Sequence, residues 1–387
     1  AEGSGTDSAG TEEKEAEALF ELTELRSAET KYILMSDGTI QALVYDTAVH
    51  VQDENGVWQD MDNSLTEGNT TVDSARVKFA KKISGNGELF TLHEGNRKVT
   101  LSLSGAIEKT PITVVSDGKA TEKAVTRLEE LSTLFRVASS VRYEGILPGT
   151  DVEYVLTGND LKENIVIHRN FDSYTYTFLL SLNHLTAVQQ EDGSIGLLDG
   201  AETVYTMPAP FMYDADGRRS DAVSYTLMPA NGTGKYTLTV TADGEWINAS
   251  DRAFPVTVDP TVSLGGSNAA NGSVSSEGGV YSYYMNAGVS DGVSYRSYIS
   301  FTLPALPDGS RVTGATLKLY QDGYHKDTAD TVYIAARRVN TSWSASALRW
   351  GNQPEFESTV LDFAETGASE TGKRLSFDLT AVYREWM

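Results

Sequence analysis

Five histidines, 54 carboxylates and no cysteine bound the chemistry open to this 387-residue chain. The histidines are His50, His93, His168, His184 and His325, and no two stand two, three or four residues apart. A local pair of imidazole metal ligands is therefore missing. His93-Glu94 opens like the helix of a zinc protease, but Arg97 stands where the second ligand would be. Without cysteine there are no thiolate metal sites, iron–sulfur clusters, disulfides or thiol nucleophiles. Gly85-Asn86-Gly87 and Gly232-Thr233-Gly234-Lys235 are glycine turns that complete neither a dinucleotide fingerprint nor a phosphate loop. A glycosidase needs two carboxylates converging in space, and nothing in the order of the 54 singles out a pair. The expectation is a chain with no catalytic constellation.

Two further patterns could bind rather than react. Asp60-Met61-Asp62-Asn63 and Asp214-Ala215-Asp216-Gly217 begin like calcium loops, but Thr71 and Tyr225 occupy the twelfth positions, where a bidentate Glu belongs. Turn chemistry accounts for both segments. No cofactor is expected, and a structural calcium ion held by scattered loop oxygens is left open. The second pattern is a tyrosine cluster: Tyr281, Tyr283, Tyr284, Tyr295 and Tyr298 fall within 18 residues. Exposed tyrosine rings stack on the apolar faces of sugars, and Tyr281, Tyr283, Tyr284 and Tyr295 are the candidate ligand-binding residues. In the competing reading these rings fill sheet faces with their hydroxyls in water. Trp343, Trp350 and Trp386 read as core or corner residues.

The elements that must position these groups are strands. Thirteen Asp-Gly or Asn-Gly pairs run from Asp37-Gly38 to Asp322-Gly323, supplying the positive φ that tight hairpins require. Between them lie period-two runs such as Tyr236, Leu238 and Val240, or Leu375, Phe377 and Leu379. The fold class is all-β, mainly antiparallel. One short N-terminal helix is expected, since Ala16, Leu19, Phe20, Leu22 and Leu25 fall near helical spacing. Residues 1–15 hold no large apolar side chain and read as an acidic, disordered linker. Pro255 and Pro260 bracket the run Val256–Asp259, and residues 265–280 then carry five Gly and four Ser. That shift divides a β-rich region over 16–260, which has room for two subdomains, from a second β domain over 262–387.

Charge narrows the partners. Lys and Arg number 31 against 54 Asp and Glu, so the net charge is 31 − 54 = −23. A surface this acidic is repelled by phosphate backbones and by anionic lipid, so neither a nucleic acid nor a membrane is an expected partner. No apolar run approaches membrane-spanning length.

The C-terminal residues resemble a known extracellular module, the DNRLRE-type domain. The resemblance rests on Tyr295-Arg296-Ser297-Tyr298-Ile299-Ser300-Phe301, Leu303-Pro304-Ala305-Leu306-Pro307 and Gly314-Ala315-Thr316-Leu317-Lys318-Leu319-Tyr320. It continues through Val332-Tyr333-Ile334, Trp343, Leu348-Arg349-Trp350-Gly351-Asn352-Gln353-Pro354 and Phe377-Asp378-Leu379-Thr380, ending at Trp386. Residues 31–260 are similar to the region preceding that module in large cell-wall-associated and RHS (YD-repeat) proteins of Gram-positive bacteria. That similarity is carried by stretches such as Leu147-Pro148-Gly149-Thr150-Asp151-Val152-Glu153-Tyr154 and Phe254-Pro255-Val256-Thr257-Val258-Asp259-Pro260.

The resemblance implies a jelly-roll-like β-sandwich akin to carbohydrate-binding modules that often hold structural calcium. It also implies an extracellular or cell-surface bacterial location and a non-catalytic place near the N-terminus of a longer protein. Family members continue with further strands after the Phe377–Trp386 element. The resemblance thus implies a sandwich truncated at its C-terminus, with Phe377, Leu379 and Val382 facing a core that those strands would close and Leu375 pointing the same way. Three functions are expected in descending order: surface attachment or binding of a glycan or cell-wall polysaccharide; the scaffold or plug of an RHS-type shell packaging an effector in the downstream portion of the same protein; and a polysaccharide-processing enzyme.

Overall fold

The computed structural model describes residues 16–116, 126–260, 262–263, 269–281, 285–290, 292–304, 306, 309–321, 331–345, 347–367 and 372–386. The acidic segment 1–15 and His325 lie outside them. Every strand pairing named below is antiparallel.

Alternation builds the larger unit. One eight-stranded sheet places Arg97–Leu103 between Glu88–Glu94 and Thr175–Asn183, with Lys235–Ala242 and Val223–Pro229 beyond. An eleven-stranded sheet runs from Ile112–Ser116 through Ala138–Leu147, Thr150–Thr157 and Asp160–Ile167 to the Val256–Asp259 and Val262–Ser263 strands. Val99, Leu101, Leu103, Phe178 and Leu180 meet Val152, Tyr154, Leu156, Leu161 and Ile165 in one continuous core. At its centre Phe79, Phe90, Tyr143 and Tyr154 pack at ring separations of 5.0–6.3 Å. The Tyr143 hydroxyl lies 2.9 Å from the Ala80 carbonyl and 2.8 Å from that of Leu89, so this polar tip is satisfied inside the core.

The expected N-terminal helix is not formed. Ala18–Glu21 is a strand paired with Thr30–Met35, followed by a single 3-10 turn at Thr23–Leu25. A short segment of helical spacing gains few backbone bonds alone. Pairing with Thr30–Met35 satisfies its backbone and buries Ala18 beside Ile33 and Met35. Ile40–Val44 completes this three-stranded sheet.

Gly158 shows why one hairpin must turn through glycine. Its φ is +53°, and a Cβ there would sit 2.1 Å from Thr47 Oγ1 and 2.9 Å from the Ala48 carbonyl. Its own carbonyl accepts from Asn63 Nδ2 and Arg76 Nη2, each at 2.9 Å. Gly158→Ala should destabilise this unit by about 1–3 kcal/mol through backbone strain and the close contact. Thermal melting checks it, and an unchanged midpoint would contradict the crowding described.

A separate four-stranded sheet begins at Ala269–Ser275, which lies between Val280–Tyr281 and Val293–Phe301, with Gly288–Ser290 outermost. Two long-range strand pairs follow, one nested inside the other along the chain: Thr316–Gln321 with Lys373–Asp378, and Val332–Ala336 with Asp362–Thr366. The helix Thr380–Trp386 buries Val382. The core here is small: Val274, Val280, Tyr298 and Leu348, with Val339, Trp343 and Trp350 against it. Of the two roles expected for Trp386, core or corner, it does not take the core one. It is 47% exposed, and the Arg338 guanidinium lies 5.9 Å from its ring. Phe377 and Val382 are buried, whereas Leu375 and Leu379 are half-exposed along a cavity of about 3350 Å³. Asp221 ties this part to the larger unit by pairing with both Arg219 and Arg349.

Candidate functional site

The tyrosine cluster read from the sequence is only partly visible. Tyr283 and Tyr284 lie outside the described residues, and of Tyr281 only the backbone is described. Tyr281 pairs with Ser273 and Tyr295 with Ser275, so the strands that carry them flank Ala269–Ser275 on its two sides. Tyr295 is half-buried. Tyr298 faces the other way and is a core residue, its hydroxyl 2.7 Å from Gln353 Oε1 and its ring 5.8 Å from Trp343.

A different set of aromatics is fully presented. The Asp362–Thr366 and Lys373–Asp378 strands lie side by side, and the Asp378 N–H donates to Asp362 Oδ2 at 2.7 Å. Contacts run in the order Thr316–Gln321, Lys373–Asp378, Asp362–Thr366, Val332–Ala336, the first two and the last two each forming a two-stranded sheet. Leu317, Leu319, Phe377, Ala364 and Ile334 turn to one side. The alternate positions turn to the other, and there Tyr320 is 67% exposed, Tyr333 62% and Phe363 55%.

Register places these three rings. Tyr333 opposes Glu365 and Ala335 opposes Phe363, so Tyr333 and Phe363 are diagonal neighbours on one face. Tyr320 opposes Arg374, and Lys318 opposes Ser376. A hydrogen bond from Thr366 Oγ1 to Gln321 Oε1 brings the ends of the two pairs level. Tyr320 and Tyr333 thus stand on the two outer strands, with the Lys373–Asp378 and Asp362–Thr366 strands between them. Lys318, Arg374 and Glu365 provide charged groups among the rings. The sequence held this signal: Tyr320 and Tyr333 take the parity opposite to the half-buried residues of their strands, and Phe363 the parity opposite to buried Ala364 and Thr366.

Groups suited to acid–base chemistry are engaged in structural work. Asp151 receives Arg142 at 2.6 Å, the Gly145 N–H at 2.7 Å and His168 Nε2 at 2.8 Å. Burial pulls its carboxyl upward, but the Gly145, His168 and Arg142 hydrogen bonds outweigh that and hold it below the usual value. The knot stitches a bulge between Tyr143 and Leu147, where the ladder skips register. His50 is fully buried against the Ser27 carbonyl, and desolvation lowers its pKa.

Asp214, one of the calcium-loop candidates, is buried and bonded to Arg252 Nη1 at 2.9 Å and to the Asp216 and Arg218 amides. Arg252 in turn stacks 3.9 Å from the Trp246 ring centre. That turn is a buried ion pair. At the other candidate, Asp60 pairs with Arg26 and Asp62 with Arg136, each at 3.1 Å. Among the described residues no three His, Asp or Glu side chains gather as a metal site would require.

Sequence reasoning overlooked two features. Gly288-Val289-Ser290-Asp291-Gly292 has the spacing of a hydrolase nucleophile elbow. Among the described residues of this stretch Gly288–Ser290 is a strand, Ser290 pairs with Val293, Gly292 has φ +81°, and a strand rather than a helix follows. The second is Glu163, wholly buried with its Oε1 3.1 Å from the Tyr154 hydroxyl, where burial pushes its pKa up to about 8. It lies inside the core of the larger unit.

Residues 253–387 match carbohydrate-binding module family 96. Over nearly its whole length the chain is similar to the tRNA nuclease WapA of Bacillus subtilis (strain 168), with 27% identity over 396 residues. It is also similar to the tRNA(Glu)-specific nuclease WapA of Bacillus subtilis subsp. natto (strain BEST195) and the tRNA3(Ser)-specific nuclease WapA of Bacillus spizizenii, each 28% identical over 397 residues. Each alignment covers 95% of this chain but only 16% of the relative's length. No solved structure matches.

Proposed function

We propose that this chain is a non-catalytic, extracellular or cell-surface part of a large bacterial wall-associated protein, and that its C-terminal module binds carbohydrate. The observation that carries this reading is the exposed aromatic face of Tyr320, Tyr333 and Phe363 within the stretch that matches a carbohydrate-binding family. Large apolar rings left in water on a sheet face carry a standing solvation cost and mark an interaction surface. Charged side chains between the rings suit hydroxyl-rich ligands. A division between a larger region and a C-terminal module is supported by the start of a new sheet at Ala269–Ser275, although Val262–Ser263, assigned to the module by the 16–260 and 262–387 bounds, pairs within the larger sheet. The DNRLRE and RHS character read from the motifs belongs to this same proposal.

The relatives are named tRNA nucleases. A net charge of −23 opposes the approach of a phosphate backbone, which favours placing such chemistry outside this segment. A glycan array probed with the full chain tests the reading. Retention on at least one polysaccharide class is expected, with no turnover of tRNA or glycan. No retention on any class, or turnover abolished by one Asp, Glu or His substitution, would overturn it.

A second reading, the scaffold of a shell around a downstream effector, is favoured by the 3350 Å³ cavity. Half-exposed Leu317, Leu319, Ile334, Leu375 and Leu379 line it, facing Tyr32 and Leu43 of the N-terminal sheet. This reading requires a polypeptide that fills the cavity and shields those leucines from solvent.

A further inference from the structure

We infer that the Tyr320–Tyr333–Phe363 face binds the flat surface of an insoluble polysaccharide built from β-1,4-linked, equatorially substituted pyranoses, rather than a single soluble chain. The inference rests on the carbohydrate-binding reading and narrows its ligand class.

The geometry favours a surface over a strand of sugar. The three rings stand exposed on two adjoining two-stranded sheets, Tyr320 on one and Tyr333 and Phe363 on the other. They spread across the strands from Tyr320 on Thr316–Gln321 to Tyr333 on Val332–Ala336. A ligand meeting this face is contacted on one side only. A free oligosaccharide would lose torsional freedom on docking while its far side and both edges stayed in water, so few contacts would have to offset a large ordering cost. A chain already packed in an insoluble array has lost that freedom beforehand, and stacking then counts in full.

Equatorial substitution matters because it leaves the axial C–H groups of each ring as an uninterrupted apolar face. The β-1,4 linkage keeps successive faces in one ribbon. Aromatic rings present the complementary flat, weakly negative face. Lys318, Arg374 and Glu365 surround the rings and can bond the hydroxyls at the ribbon edges.

The test is a pull-down of the full chain on microcrystalline cellulose, chitin and purified Gram-positive cell-wall sacculi, with cellohexaose and chitohexaose as soluble competitors. Retention on at least one insoluble material is expected, with the matching hexaose failing to compete at millimolar concentration. The triple variant Tyr320→Ala/Tyr333→Ala/Phe363→Ala should bind at least about tenfold more weakly. Tyr320→Phe/Tyr333→Phe should bind within about twofold of the parent, because the stacking faces remain. Tyr333→Ser alone, with circular dichroism and melting matching the parent, guards against a folding defect in the triple variant and should already weaken retention.

Tight hexaose binding that competes fully would overturn the flat-surface inference and leave the carbohydrate reading standing. Full retention of the triple variant would overturn the assignment of this face. Binding to none of the three materials would overturn the inference, while a hit of another class on the glycan array would still support the broader reading.

Discussion

Replacing Glu163 with Gln will raise the melting temperature of the larger β unit by several degrees at pH 9 and leave it nearly unchanged at pH 4. Glu163 lies between Leu161 and Ile165 on the inward face of Asp160–Ile167, with the Tyr154 hydroxyl at 3.1 Å. Desolvation raises its folded pKa from 4.5 to about 8, and the negative charge of Asp259 adds to the rise. The groups facing it from neighbouring elements are Tyr154, Tyr225 and Asp259, and Asp259 is itself paired with Lys162 at 2.7 Å.

The sign follows from proton uptake. Between the unfolded and folded pKa values the native state holds a proton that the unfolded chain has released. Stability is therefore fully present below about pH 4.5 and is lost as pH rises through about 8. The interval corresponds to at most roughly 5 kcal/mol. Gln keeps the shape and never ionises, so it removes this slope. Melting curves of parent and Glu163→Gln from pH 4 to 9 measure the difference directly, with the other titrating groups cancelling. Parallel curves across that range would refute the assignment.

The second large effect is expected at Phe79. It is completely buried, with Phe90 at 6.3 Å and Tyr154 at 5.6 Å between ring centres. Phe79→Ala deletes a ring from the middle of a close-packed core that strands on both sides hold rigid. The expected loss is about 3–5 kcal/mol, combining lost transfer energy with the remaining cavity. The C-terminal module has its own small core, so the same variant should leave tryptophan fluorescence of the Trp343 and Trp350 cluster melting where it did before. Chemical denaturation followed by circular dichroism, and by tryptophan emission in a Trp58→Phe/Trp246→Phe background that silences the rings of the larger region, separates the two. A loss under 1 kcal/mol, or an equal shift of both signals, would contradict the division of cores described above.

The all-β architecture could be read in the sequence because its causes are local. Asp-Gly and Asn-Gly pairs turn the chain, and side chains alternate across a strand whatever it pairs with. Runs such as Tyr236–Thr241 therefore announce strands before any partner is known. The same rule placed Phe377 inward, and it is buried. The rule also applies to Glu163, Tyr320, Tyr333 and Phe363, whose parity sets their facing even though their residue types disguise the consequence.

The segment at 16–25 shows where local reasoning fails. Its spacing permits a helix, and only the presence of Thr30–Met35 as a strand partner makes Ala18–Glu21 extended. The identity of the functional face is likewise not a local property. Tyr320, Tyr333 and Phe363 are separated by 13 and 30 positions in the chain, and they come near one another because two long-range strand pairs adjoin through Asp362–Thr366 and Lys373–Asp378. Clustering in sequence pointed instead to Tyr281, Tyr283, Tyr284 and Tyr295, of which Tyr295 is half-buried.

Similarly, the Asp214 turn looks like the start of a cation loop until Arg252, 38 residues on, is found against it. The sequence by itself determined the strands, their facing and the acidic character that disfavours nucleic acid. Tertiary structure alone decided which carboxylates are neutralised by a partner, which are held protonated by burial, and which rings remain in water. Those outcomes depend on neighbours that long-range strand pairing supplies, and no window of sequence contains them.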